Sequence, residues 1–177
     1  KEYANSEQSL LYTDSQKHKQ ALLNHLLDDP AIDQVVVFTS TKRKADFLAN
    51  KLSKLKIDAA ALHGDMNQRQ RNRTIRLLRN GKIRILVATD VAARGIDVSS
   101  ITHVINFDLP QSAEDYIHRI GRTGRAGAKG IALSLAESKD LQMVREIERY
   151  TGNKLPRQSI PGMEPKTKET SYSPSSR

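Results

Sequence analysis

The chain has 177 residues, a formal net charge of +9 and no cysteine. That length suits one domain with a core of its own, and the missing cysteines exclude a disulfide framework and any thiolate metal site. No apolar run reaches membrane-spanning length, and the basic excess calls for a polyanionic partner, most simply nucleic acid. Aromatic residues make up only 5% and Trp is absent. A base-stacking platform is therefore not obvious, and the sugar–phosphate backbone is the expected target. Phe38, Phe47 and Phe107 fall among apolar neighbours and are expected in the core.

The chain opens on Lys1, and the expectation is a piece of a longer polypeptide. Residues 1–7 read as a flexible lead-in. Residues 14–27 carry Ala21, Leu22, His25 and Leu26 at helical spacing, and Pro30 stops the helix. Residues 35–38 form a β-branched run expected of a strand buried on both faces. A helix follows over 41–55, with Ala45, Leu48, Leu52 and Leu55 on its apolar side. A strand is expected at 59–62, then a helix over 67–79 carrying Ile75, Leu77 and Leu78. Strands are expected at 83–87 and 103–107. Residues 112–120 read as a helix opened by Ser112-Ala113-Glu114-Asp115, which resembles a capping box. A last strand at 131–135 leads to a helix over 138–150 with Leu141, Val144 and Ile147. After Gly152 the composition shifts to Pro, Lys, Thr and Ser. An extended or disordered tail is expected over 152–177, with the domain surface or a neighbouring molecule as what would hold it.

Alternating strands and helices imply an α/β fold, a mostly parallel sheet with helices on both faces. In such folds ligands bind beyond the carboxyl ends of the strands. The loops to search are therefore 39–42, 63–65, 88–90 and 108–110.

The most informative segment is His118-Arg119-Ile120-Gly121-Arg122-Thr123-Gly124-Arg125. Its arginines alternate with glycines at the end of a helical stretch. Guanidinium groups grip phosphate in a forked geometry, and fixed ones on a tight turn suit a transferring phosphoryl group. The competing reading is arginines that complement the helix dipole.

Residues 87–97, Val87-Ala88-Thr89-Asp90-Val91-Ala92-Ala93-Arg94-Gly95-Ile96-Asp97, follow a strand directly. Small residues admit a ligand, a carboxylate can accept from ribose hydroxyls, and Arg94 can meet a phosphate. The alternatives are a helix cap at Asp90, a turn at Gly95 and a solvated charge at Arg94. His63-Gly64-Asp65 lacks a convergent ligand set for a metal. A phosphate-binding backbone loop fits it better. Gln70 and Arg73 share a helix face. They suit either phosphate contact or a capping box of Gln70 with Asn67 beside a solvated Arg73. Lys42-Arg43-Lys44 reads as a solvated helix start.

Taken in order, 35–42, 63–65, 70–73, 87–97 and 118–125 resemble the C-terminal motor-domain motifs of DEAD-box RNA helicases. The resemblance covers roughly residues 8 to 150, and the tail looks similar to that of the bacterial RhlE-like branch. It implies a RecA-like domain over 8–151. It implies arginine fingers at Arg122 and Arg125, and a nucleotide site lined by Gly95 and Asp97. His118 would couple to the partner domain. Thr41, Gly64, Arg73, Thr89 and Arg94 would touch the RNA backbone, while Arg119 matches the motif with a structural alternative. Neither a G-x-x-x-x-G-K-[ST] loop nor an Asp-Glu-Ala-Asp segment occurs in the chain. The resemblance places both in an N-terminal RecA-like domain that holds ATP with Mg2+. The implied protein is a cytoplasmic, ATP-dependent RNA helicase with no metal site on this lobe and no membrane contact, and the fragment alone is expected to be inactive. A stand-alone RNA-binding module and a DNA helicase or translocase domain are the alternatives.

Overall fold

The structure, a computed structural model, describes residues 6–124 and 129–167. Its centre is a seven-stranded sheet in which every pairing is parallel. Along the chain the elements are β1 (Ser6–Tyr12), α1 (Gln16–Leu27), β2 (Gln34–Phe38), α2 (Lys42–Lys54), β3 (Ala59–Leu62), α3 (Gln68–Arg79) and β4 (Ile85–Ala88). The short helix α4 (Asp90–Ala93), β5 (Ile101–Asn106), α5 (Ala113–Ile120), β6 (Gly130–Ala136), α6 (Leu141–Thr151) and β7 (Arg157–Gln158) complete it. Strand order is β3-β4-β2-β5-β6-β1-β7.

Parallel strands need long crossovers, and here the helices supply them on both faces. Val35 and Val37 pack with Leu22, Leu23 and Leu27 of α1 and Leu48 and Leu52 of α2. Val36 and Phe38 pack on the other side with Leu78 of α3 and Ala92 and Ala93 of α4. Leu10, Tyr116, Ile120, Val144 and Ile147 fill the remainder of that second face under α5 and α6. The two-residue period of β2 thus feeds both layers, as expected of a strand without a solvent side.

Three expectations need correction. On α1 the buried residues are Lys19, Leu22, Leu23 and Leu27, while His25 is exposed. Leu26 packs partly buried against the same core, but Leu23 and Leu27 complete the stripe and Ala21 is exposed with His25. Leu55 follows the last turn of α2 and is 51% exposed. Phe47, expected in the core, is 61% exposed. At the helical period it falls opposite the buried stripe of Ala45, Leu48, Ala49 and Leu52, so its ring points to solvent under the Lys51 ammonium.

Both ends contribute to the sheet. Ser6 and Glu7, within the expected lead-in, pair with Gly130 and Ile131. Beyond Gly152, a left-handed C-cap to α6, Leu155 is buried and the Pro156 carbonyl accepts from the Leu10 amide at 2.9 Å. Ile160 and Met163 pack against the α1–α2 layer, and the His18 ring meets the Met163 carbonyl at 2.8 Å. No helix among the described residues is long and apolar enough to cross a membrane.

Candidate functional site

Register brings the candidate loops together. Leu62, Ala88, Phe38, Asn106 and Ser134 lie in one row across five strands. The loops that leave β3, β4, β2 and β5 therefore start at one level on the carboxyl edge, with strands ~4.8 Å apart. Gly64, Thr89 and Thr41 follow three adjacent strands in this row.

Thr41 caps α2, its hydroxyl accepting from the Lys44 amide at 3.1 Å. Gly64 is exposed in a loop braced by its neighbours. His63 meets Asp46 at 2.9 Å, and Lys42 donates to Asp65 at 2.9 Å. That Lys42 hydrogen bond holds the Asp65 carboxyl below its ordinary pKa. Thr89 is half-buried, and its amide donates to the Leu62 carbonyl at 3.3 Å.

On α3, Asn67 and Gln70 form the reciprocal cap, at 2.8 and 2.9 Å. Gln70 is thereby committed to helix initiation. Arg73 is exposed. The α3 arginines that reach residues 87–97 are instead Arg71, which donates to the Ala92 carbonyl and, at 2.7 Å, to the Arg94 carbonyl, and Arg79 at the helix end. Arg71 was overlooked in the sequence, where nothing marked it apart from the other arginines of that helix.

The centre of the edge is Arg119, 2% exposed at the end of α5. Its Nε and Nη2 donate to both carboxylate oxygens of Asp90, at 2.6 and 2.8 Å. Its Nη1 donates to Asn106 Oδ1 at 3.1 Å and to the Asp108 carbonyl at 2.6 Å. The guanidinium lies 4.9 Å from the Phe38 ring centre. The structural alternative for Arg119 therefore holds: its donors are spent inside the lobe. Asp90 accepts from Arg119 rather than capping α4, whose N-cap is Thr89.

A second polar knot lies beside it. Lys19, 2% exposed, sits 3.6 Å from Asp108 and 3.4 Å from Glu137, over the Phe107 ring. Asp108 also accepts from the Ser40 amide at 2.9 Å and from Lys44 at 3.0 Å. Burial works to raise its pKa. The Ser40 amide, Lys19 and Lys44 outweigh that and hold it below the usual carboxylate value.

Beside the Arg119–Asp90 pair opens a cavity of about 240 Å³ lined by Asp90, Arg94, Gly95, Asp115, His118, Arg119 and Arg122, together with Phe38 and Ala93. Arg122 is half-buried on its wall and donates to the Ile96 carbonyl at 2.7 Å. Gly95 is exposed with φ 79°, a conformation that favours glycine. Asp97 is exposed, and its carbonyl accepts from Arg79 at 3.0 Å. His118 is exposed, 3.9 Å from Asp115. Behind Arg122, Thr123 is buried and donates to the Ile101 carbonyl at 2.8 Å. Its side chain lies where a Cβ on Gly130 would fall. The turn that carries Arg122 is thus pinned to β5 and β6. Arg125 lies outside the described residues.

The helicase conserved C-terminal domain matches residues 17–127, a span that holds every loop of this edge. The chain belongs to that family. It is a RecA-like C-terminal domain of the DEAD-box kind, and its similarities are consistent throughout. It is 45% identical over 157 residues to the ATP-dependent RNA helicase SrmB of Haemophilus influenzae, covering 89% of this chain and 36% of that protein. It is 45% identical over 149 residues to the DEAD-box ATP-dependent RNA helicase CshA of Geobacillus kaustophilus, covering 84% of this chain and 32% of the relative. The chain thus spans about a third of the length of the curated relatives it matches. Among solved structures, E. coli SrmB bound to regulator of ribonuclease activity A superposes with a TM-score of 0.90 at 42% identity, covering 94% of this chain and 98% of that one. S. cerevisiae Dbp5 bound to RNA and ADP BeF3 gives 0.81 at 34% identity, covering 87% of this chain and 41% of that one.

Proposed function

We propose that this helicase C-terminal domain is the second motor lobe of an ATP-dependent RNA helicase. The observation that carries the reading is the cavity in which Arg122, His118 and Gly95 converge, next to the row of loops holding Thr41, Gly64 and Thr89. ATP is held mainly by an N-terminal RecA-like lobe. Arg122 and Arg125 complete its pocket as arginine fingers, and Gly95 and Asp97 form the near wall, with Asp97 toward the ribose. His118 couples the two lobes. Thr41, Gly64, Arg73, Thr89 and Arg94 track the RNA sugar–phosphate backbone. Contacts of that type are indifferent to sequence and sensitive to salt. The similarity to Dbp5, a structure with RNA and ADP BeF3, supports both halves of the reading.

Such a lobe works by positioning and by charge. An arginine finger stabilises the charge on a transferring phosphoryl group and contributes about 10³ to 10⁵ in rate. Closure of the two lobes on one strand bends it out of duplex geometry, which separates base pairs locally. Among the described residues nothing is arranged to hold Mg2+. The described residues hold no group of three or more metal-ligating side chains. The edge carboxylates Asp90, Asp108 and Asp65 are engaged by Arg119, by Lys19 with Lys44, and by Lys42. No step on this lobe runs through the ion.

The test compares ATP hydrolysis by the full-length polypeptide with RNA, with DNA and alone, beside the same assay on this 177-residue chain. Stimulation by RNA and no turnover by the chain alone are expected. Equal stimulation by DNA makes it a DNA translocase lobe, and RNA binding without any turnover by the full-length polypeptide makes it a binding module.

A further inference from the structure

The exposed Phe47 ring sits in a groove that the edge site does not use. The groove runs between α1 and α2 and has a volume of about 460 Å³. Phe47, Leu48 and Phe107 give it an apolar floor, and Lys17, Lys44 and Lys51 stand along it. Gln16 on its rim donates to Glu137 at 2.6 Å and Gln20 to Asn24 at 3.0 Å, while no carboxylate lines the groove itself. Lys44 is occupied by Asp108 at 3.0 Å, whereas Lys17 and Lys51 are exposed and have no acidic partner among the described residues. The Lys51 ammonium lies 5.4 Å from the Phe47 ring centre, so a cation and a flat apolar face are offered together.

Leaving a phenyl ring in water is unfavourable, and a single exposed aromatic is common on surfaces. What sets this one apart is its company: two lysines without an acidic partner and a lining that holds no carboxylate. That combination suits single-stranded nucleic acid, where bases stack on aromatic rings and phosphates meet cations. It is also continuous with the edge. Thr41 caps the same helix, and Phe47 lies six residues along it, about 9 Å at the helical rise. A strand passing Thr41 and Lys42 needs only one or two further nucleotides to reach the ring.

We propose that the α1–α2 groove is an auxiliary site for single-stranded RNA, in which one base stacks on Phe47 and its flanking phosphates meet Lys17 and Lys51. The site rests on the reading of the carboxyl edge as an RNA track and extends that track with a base contact, which the edge loops lack.

The experiment uses the 177-residue chain and a labelled single-stranded oligouridine, read by fluorescence anisotropy, with an abasic strand of equal length as the second probe. Stacking is worth about 1–3 kcal/mol per base, so Phe47→Leu is expected to weaken oligouridine binding at least about fivefold. Phe47→Tyr is expected to restore binding, and the abasic strand to bind parent and Phe47→Leu alike. Photocrosslinking with 5-iodouridine is expected to label Phe47. The inference is overturned if Phe47→Leu binds oligouridine as the parent does and no crosslink maps to α2. It is equally overturned if an acidic peptide crosslinks at Phe47 and oligouridine does not displace it. Arg94→Ala separates the two readings. If it weakens RNA binding while Phe47→Leu does not, the edge track stands and the groove fails. If neither matters, both fail.

Discussion

Arg119 and Asp90, 29 positions apart, face each other through two parallel hydrogen bonds of 2.6 and 2.8 Å. The pair ties the end of α5 to the first residue of α4. It thereby fixes the distance between the two segments that carry Arg122 and Gly95. Forked guanidinium–carboxylate geometry specifies orientation as well as attraction, which a lysine cannot reproduce.

Replacing Arg119 is therefore expected to be a folding lesion. Arg119→Lys leaves the Asp108 carbonyl, Asn106 and one Asp90 oxygen short of donors within a buried site. The pair is only partly buried, Asp90 being 30% exposed, and lysine keeps the charge, so the cost is that of the unsatisfied hydrogen-bonding groups, about 1–3 kcal/mol. The urea midpoint of the chain measures it. A loss below about 1 kcal/mol would show that the pair is replaceable.

Gly130→Ala is expected to disturb the turn that carries Arg122. The added methyl overlaps the Thr123 side chain and the Gly124 amide, and backbone cannot swing aside as a flexible side chain can. Overpacking of this kind costs about 1–3 kcal/mol. Chemical denaturation checks the cost. An unchanged midpoint would mean that the Thr123 turn is looser than its contacts indicate.

Stability is expected to fall in two steps on acidification. Burial pushes the His103 pKa below its ordinary value, so the unfolded chain binds that proton more readily. Its contribution is present above the unfolded value and declines as pH drops below about 6.5. The Asp108 pKa is also depressed, so its contribution persists to lower pH and is lost below about pH 4. Urea midpoints across pH measure both steps. His103→Gln should remove the first, and the deficit of Asp108→Asn should close as pH falls through the second. Curves parallel to the parent's at every pH would contradict the assignment.

Much of the architecture was legible in the residues. The β-branched run 35–38 and the helix that ends in Arg79 lie where their periodicities indicate, because strands buried on both faces and amphipathic helices leave distinct patterns. The capping box of Asn67 and Gln70 was legible as one of two readings, and its geometry decides for the cap. Strand β1 was missed because Ser6–Gln8 is polar and pairs at the sheet's far side. Lys19 was missed because a buried lysine betrays itself only through partners distant in sequence, here Asp108 and Glu137. Phe47 was misplaced because its apolar character was weighed ahead of its position, which lies off the Ala45, Leu48 and Leu52 stripe of α2.

The central claim is that Arg122 acts on a triphosphate held by another lobe. Single-turnover ATP hydrolysis by the full-length polypeptide carrying Arg122→Ala, measured beside its affinity for ATP, tests it most directly. The account predicts that hydrolysis falls by about 10³ or more while ATP affinity changes less than about tenfold. Loss of both in equal measure would contradict it and leave Arg122 as a brace for the Ile96 carbonyl.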